Sequence, residues 1–191
     1  MSKNLLAVIC ALFIFLTIVV FFTYVKPVVP FDADDWLYVS KTVSYPVPTI
    51  LRWNPTRIFP EYLEPITGYF AAYVIYPLTG DYLFSMSLAA AIMLASFISA
   101  LYIALYSLFL ALNKDRTICA LAGATIIALY FALFKSNDQS NTYMFYGRTY
   151  TLAFFYTAPN ILNSIAVCVL ARRLILYGSL SIAKFSKNPR C

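Results

Sequence analysis

Apolar residues fall into long charge-free runs divided by short polar stretches. Residues 5–25 carry no charge. At ~1.5 Å rise per residue such a run crosses a hydrocarbon core of ~30 Å. It is longer than the ~7–15-residue core of a signal peptide, and it leads into Val25-Lys26-Pro27 rather than a small-residue cleavage site. Residues 26–60 hold Pro27, Pro30, Pro46, Pro48, Pro55 and Pro60. They predict a loop with short helical turns, one of them over 34–43. Residues 61–78 are apolar but broken by Glu64, Pro65, Gly68 and Pro77. Tyr69, Tyr73 and Tyr76 fall on one face there, which predicts an interfacial helix. Thr79-Gly80-Asp81 reads as a turn. Residues 83–112 are uncharged, ample for a tilted span. Ser85, Ser87, Ala89, Ala90, Ala91, Ala95 and Ser96 form a small-residue region within it, suited to close helix packing. Asn113-Lys114-Asp115-Arg116 ends that run, and further spans follow over 118–134 and 150–170, separated by a polar loop. Pro159 interrupts the last span, with Asn160 and Asn163 beside it. These amides are expected to face the protein interior, cementing helices or meeting the carbonyls freed by the proline.

The pattern predicts an all-α, polytopic membrane protein. About four transmembrane helices and one interfacial juxtamembrane helix make a single membrane domain over 1–191. Charge sets its orientation. With four spans one side receives Lys3, Lys114, Arg116, Arg172, Arg173, Lys184, Lys187 and Arg190 against Asp115 alone, and the other receives six cations and seven acids. Cytoplasmic loops favour Lys and Arg, so the N-terminus and the 171–191 tail are expected in the cytoplasm, with loop 26–60 outside. A fifth span over 61–78 would put the tail outside, against that rule.

Composition agrees. The chain is 62% hydrophobic and 12% charged, where a soluble domain is about half apolar and about a quarter charged. Sixteen Tyr and sixteen Phe suit helix ends at a membrane interface. There is no histidine, which excludes Ser-His-Asp triads, Cys-His pairs and His-ligated zinc or haem. Cys10, Cys119, Cys168 and Cys191 show no CxxC spacing and read as thiols rather than a disulfide framework. The net charge of +6 sits at membrane boundaries, which argues against nucleic acid as a partner.

Chemistry concentrates in loop 26–60. Asp32, Asp34 and Asp35 precede Trp36 and Tyr38. A carboxylate there can serve as a general base, or Asp34 and Asp35 can hold a divalent cation through oxygen ligands. The same spacing also fits a solvated acidic turn. Arg52-Trp53-Asn54-Pro55-Thr56-Arg57 follows, and a guanidinium fork matches phosphate oxygens. Arg148 lies on the same side, as a further candidate for that phosphate. Acids and arginines at a membrane surface suit a lipid whose phosphate sits at headgroup level. Plain ion pairing between Asp32, Asp34 or Asp35 and Arg52 or Arg57 is the alternative.

These residues carry a resemblance. One N-terminal span, an outer loop with paired acids, a juxtamembrane helix and further spans resemble the polytopic glycosyltransferases of the GT-C fold, which use polyprenyl-phosphate-linked sugars. The likeness is greatest to bacterial glucosyltransferase-like membrane proteins of the O-antigen-modifying kind, which carry an Asp-Asp-aromatic motif and then a Trp-containing Gly-Arg motif. Asp34-Asp35-Trp36 with Tyr38 matches the first, and Trp53 with Arg57 resembles the second, with Pro-Thr where glycine is usual.

The resemblance implies transfer of a sugar from a polyprenyl-phosphate carrier to a cell-envelope glycan or lipid at the outer face of a bacterial inner membrane. Asp34 or Asp35 would be the base. Arg52, Arg57, Arg148, Trp36, Tyr38 and Trp53 would bind the lipid-linked sugar. Such enzymes have many more spans, so the chain is expected to be the N-terminal part of one, half of a split enzyme, or a decayed relative. A different class of reading is a non-catalytic membrane subunit or lipid-binding scaffold, whose small-residue face over 83–112 packs on a companion. A transporter fits less well, because it would place ionisable groups within its spans.

Overall fold

Hydrophobic length sets the skeleton. The computed structural model describes residues 4–41, 58–132 and 149–178. Among them the chain is helical, and an isolated parallel bridge from Val29 to Thr149 stands in place of any sheet. Helix α1 covers Leu5–Val20 and runs on through a π-helical turn, Phe21–Val25. Helix α2 is Ala33–Ser40. Helix α3, Ile58–Phe70, continues through a π turn, Ala71–Ile75, into α4, Tyr76–Thr79. Gly80 ends α4 at φ 69°, where only glycine is at ease. Helices α5 (Tyr82–Leu112) and α6 (Arg116–Ala132) follow. The last helical stretch is α7 (Tyr150–Leu152), a π turn (Ala153–Thr157) and α8 (Ala158–Tyr177).

Three stretches are long and apolar enough to cross a membrane, namely Leu5–Val25, Tyr82–Leu112 and Tyr150–Tyr177. Arg116–Phe131 is apolar but shorter. The long helices alternate in direction. Asn4 at the start of α1 accepts hydrogen bonds from Tyr106 late in α5 (3.2 Å) and from Arg116 opening α6 (2.8 Å). At the other end Ser87, early in α5, donates to the Phe22 carbonyl (2.8 Å), and Phe131 of α6 packs edge-on to Phe21 at 5.5 Å. Tyr150 of α7 meets the Met86 carbonyl at the same end. The last helical stretch therefore runs back toward the end that holds Asn4.

Helix α5 is the hub, packed by α1, α6, α8 and α3. Its small residues make this close approach possible. Ser85, Ser87, Ala89, Ala90, Ala91 and Ala95 are buried, and only Ser96 of the predicted set faces outward, bonded back to the Ile92 carbonyl. The small-residue face is thus occupied within the chain rather than left for a companion. Gly123 of α6 rests on the Tyr102 ring, where an added Cβ would lie 3.1 Å away.

Each π turn has the same cause. Proline lacks an N–H and its ring crowds the carbonyl four residues back. Lys26, Tyr76 and Ala158 each stand just before a proline, and each donates its N–H to the carbonyl five residues back, on Phe21, Ala71 and Ala153. The widened turn carries the chain up to Pro27, Pro77 and Pro159 with its backbone still bonded. Asn160 and Asn163 consequently do not turn inward to the freed carbonyls, as expected of them, but lie exposed on α8.

Helix α3 is turned inside out for an aqueous setting. Pro60, Glu61, Glu64, Pro65, Thr67 and Gly68 are buried, whereas Ile58, Phe59, Tyr62, Ile66, Tyr69 and Phe70 are exposed. Polar atoms inward and rings outward is the arrangement that lipid selects. Its inner face meets α2 at Gly68, where an added Cβ would stand 2.7 Å from Val39 Cγ2 and 2.9 Å from the Val39 carbonyl oxygen. Backbone cannot rotate aside as a side-chain tip can. Gly68→Ala should therefore destabilise the chain by ~1–3 kcal/mol, seen as a lower unfolding midpoint in detergent. An unchanged midpoint would show that α2 and α3 do not touch there.

Candidate functional site

The site is built where α2 meets α3 and α7. Helix α2 opens on a reciprocal cap: Asp32 Oδ1 accepts from the Asp35 N–H (3.1 Å), and Asp35 Oδ2 accepts from the N–H groups of Asp32 (3.5 Å) and Phe31 (2.7 Å). These bonds occupy donors that a helix start leaves unpaired, and two acids in the first turn oppose its positive dipole end. The cap turns Asp35 inward and fully buries it. There Oδ1 accepts from the Thr151 N–H at 2.7 Å. Thr151 lies in the first turn of α7, where amides lack helical acceptors, and Thr149 Oγ1 covers the Leu152 amide. One carboxylate thus joins the 31–35 turn to the start of the last long stretch.

Asp34 has the opposite environment. It is exposed, one residue earlier in the same turn. Trp36 is 42% exposed and stacks on Tyr82 with centroids 6.1 Å apart and planes 13° from parallel. Tyr38 is half-buried against Phe155, centroids 5.0 Å apart. The structure thus places an open carboxylate and one member of a stacked aromatic pair on the same short helix. Arg52, Trp53, Arg57 and Arg148 lie outside the described residues. Asp34 and Asp35 point to different surroundings, and both oxygens of Asp35 already accept from backbone N–H groups. Among the described residues no group of three or more Cys, Asp or Glu side chains is placed to hold a metal ion.

Behind Asp35 lie two further acids whose significance the sequence reading overlooked. Glu61 and Glu64 of α3 have no exposed surface. Thr151 Oγ1 donates to Glu64 Oε1 at 3.4 Å, and Glu64 Oε2 is buried without a hydrogen-bond partner. Burial pushes the Glu64 carboxyl up from 4.5 to about 8. The nearby charge of Asp35 pushes the same way, the Thr151 hydroxyl pulls it back, and Glu61 adds a smaller push. Along the chain Glu64 reads as an interruption in an apolar run. The signal that distinguishes it is the 61–64–68 spacing, which gathers the polar and small residues on one helical face opposite Tyr62, Ile66 and Tyr69.

Comparison with protein-family models, curated proteins and solved structures finds no match.

The unlike settings of the two aspartates give a direct test. Asp35→Asn replaces an acceptor facing backbone donors with an NH₂ group and should cost ~1–3 kcal/mol. Asp34→Asn should leave the unfolding midpoint in detergent unchanged. Equal losses would mean that the aspartates are not divided in this way.

Proposed function

We propose that the chain is a membrane glycosyltransferase of the GT-C kind, or the N-terminal part of one. It would move a sugar from a polyprenyl-phosphate carrier to a cell-envelope glycan or lipid at the outer face of a bacterial inner membrane. The observation that carries this reading is the pairing of an open Asp34 with an anchored Asp35 beside the Trp36–Tyr82 stack. A transferase of this type needs a carboxylate that reaches an acceptor hydroxyl, and a rigid mount that holds it in place.

In this account Asp34 takes the proton from the acceptor hydroxyl as it attacks the anomeric carbon, and the carrier phosphate departs. Asp35 is a positioning residue. Trp36, Tyr38 and Trp53 face the sugar, and Arg57, Arg52 and Arg148 hold the phosphate through charge-assisted hydrogen bonds. α6 serves as the fourth span beside the three longer stretches. Both termini and the basic Lys114–Arg116 turn are cytoplasmic, and the acid-rich end around α2 and α3 is outside.

A companion membrane subunit is the second reading, and one feature of α8 favours it. Asn160, Asn163, Val167, Leu170 and Leu174 are exposed and recur at intervals of three and four residues. Such a stripe runs along one helix face, and amides in lipid gain from a neighbouring helix. The missing spans of a split enzyme would dock there.

Photocrosslinking with an activatable polyprenyl-phosphate sugar tests the proposal. Wild type should be labelled within 26–60, Arg57→Ala should lose that label, and Asp34→Asn should keep the label but lose transfer. Equal labelling of all three, at the level of an unrelated membrane protein, would overturn the glycosyltransferase reading and leave the subunit reading.

A further inference from the structure

We infer that the Asp35–Glu61–Glu64 cluster is a proton-binding site. In it Glu64 holds a proton, which lets it stand buried beside Asp35 and Glu61 in one closed junction between α2, α3 and α7. The inference does not rest on glycosyl transfer and requires no substrate.

All three side chains have 0% relative exposure. They differ in support. Asp35 accepts from three backbone N–H groups, whose dipoles offset a negative charge. Glu64 has only the 3.4 Å contact from the Thr151 hydroxyl, and its Oε2 is enclosed and bonded to nothing. An ionised carboxylate with a buried orphan oxygen is costly, whereas a neutral carboxylic acid is tolerated. The titratable groups facing Glu64 from the described elements are Asp35 of α2, Glu61 of its own helix and the Tyr150 hydroxyl of α7, with Tyr82 acting on that same hydroxyl from α5. All are acids or phenols, so none lowers the cost of ionising Glu64. Because Oε2 is closed on every side, the cation that fits without rearrangement is a proton carried on the carboxyl itself. The upward displacement of this carboxyl to about 8 agrees with that assignment.

A consequence follows for the junction. If α3 parts from α2 and α7, Glu64 meets water and returns to its ordinary value of 4.5, whereas the closed junction holds it near 8. The closed state therefore binds the proton more tightly. Its advantage is complete below about pH 4.5, falls about tenfold per pH unit as pH rises, and is gone above about pH 8. Alkaline conditions thus weaken the hold of α2, with Asp34 and Trp36, on the start of the last long stretch.

Hydrogen exchange on the full chain in lipid nanodiscs reads this directly. Protection over 31–41 and 149–157, corrected for the chemical exchange rate, should fall about tenfold per unit between about pH 5 and about pH 8 and then level off. In Glu64→Gln, which is neutral at every pH, it should stay constant. Wild-type protection that ignores pH, or an equal slope in Glu64→Gln, would overturn the proposal. Should Glu64→Gln fail to fold, infrared spectroscopy of glutamate-labelled wild type decides. A protonated-carboxyl band at neutral pH that vanishes above about pH 8 supports the site. Absence of that band at neutral pH overturns it.

Discussion

The hydrogen bond from the Thr151 amide to Asp35 is the joint on which one end of the molecule depends. Asp35 belongs to a helix of only eight residues, too short to hold its shape in isolation. The reciprocal cap with Asp32 gives that helix a start, and the bond to Thr151 ties it to a long apolar stretch. The Val29–Thr149 bridge and the bond from Tyr69 to the Ser40 carbonyl hold the same unit from either side. Asp34, Trp36 and Tyr38 inherit their positions from this arrangement. A buried, bonded carboxylate thus fixes the place of an exposed one.

The second constraint is the solvent. Helix α3 hides two glutamates and exposes aromatic rings, which would be unstable in water and is favoured beside lipid. The hidden acids then need somewhere to place their charge. Backbone amides support Asp35 of α2 beside them, and the proton we propose supports Glu64. Glycine at position 68 lets α3 press against Val39 and closes the space around them. Packing in the bundle below follows the same economy of small residues, with Ala90, Ala91 and Ala95 letting neighbours approach α5.

Much of this was legible along the chain. Of the four spans expected, three match stretches long and apolar enough to cross a membrane, legible as charge-free runs over 5–25, 83–112 and 150–170, and the turn at Gly80 was legible in Thr79-Gly80-Asp81. The proline-rich segments were legible as interruptions, yet the helices pass through Pro65 without a widened turn and through Pro77 and Pro159 after one. A helix in lipid keeps its backbone bonds by widening a turn, because no water waits to replace them. The acidic motif was legible as a cluster, but its members were not distinguished. Which aspartate turns inward depends on a cap and on a partner amide 116 residues away. Glu61 and Glu64 were hidden for a similar reason. Nothing local says that a glutamate in an amphipathic stretch faces protein, until the whole face is read against an apolar solvent. The small residues of α5 were legible as a packing surface, though not that the chain itself would cover them.

The account rests most directly on Asp35 as the tie between α2 and the last long stretch. Spin labels at Leu37→Cys and Tyr156→Cys, both on exposed positions, would measure that tie in nanodiscs on a background without native cysteines. With Asp35 present, the account predicts one narrow distance distribution, broadened when Asp35 is replaced by alanine. The same narrow distribution in Asp35→Ala would contradict it.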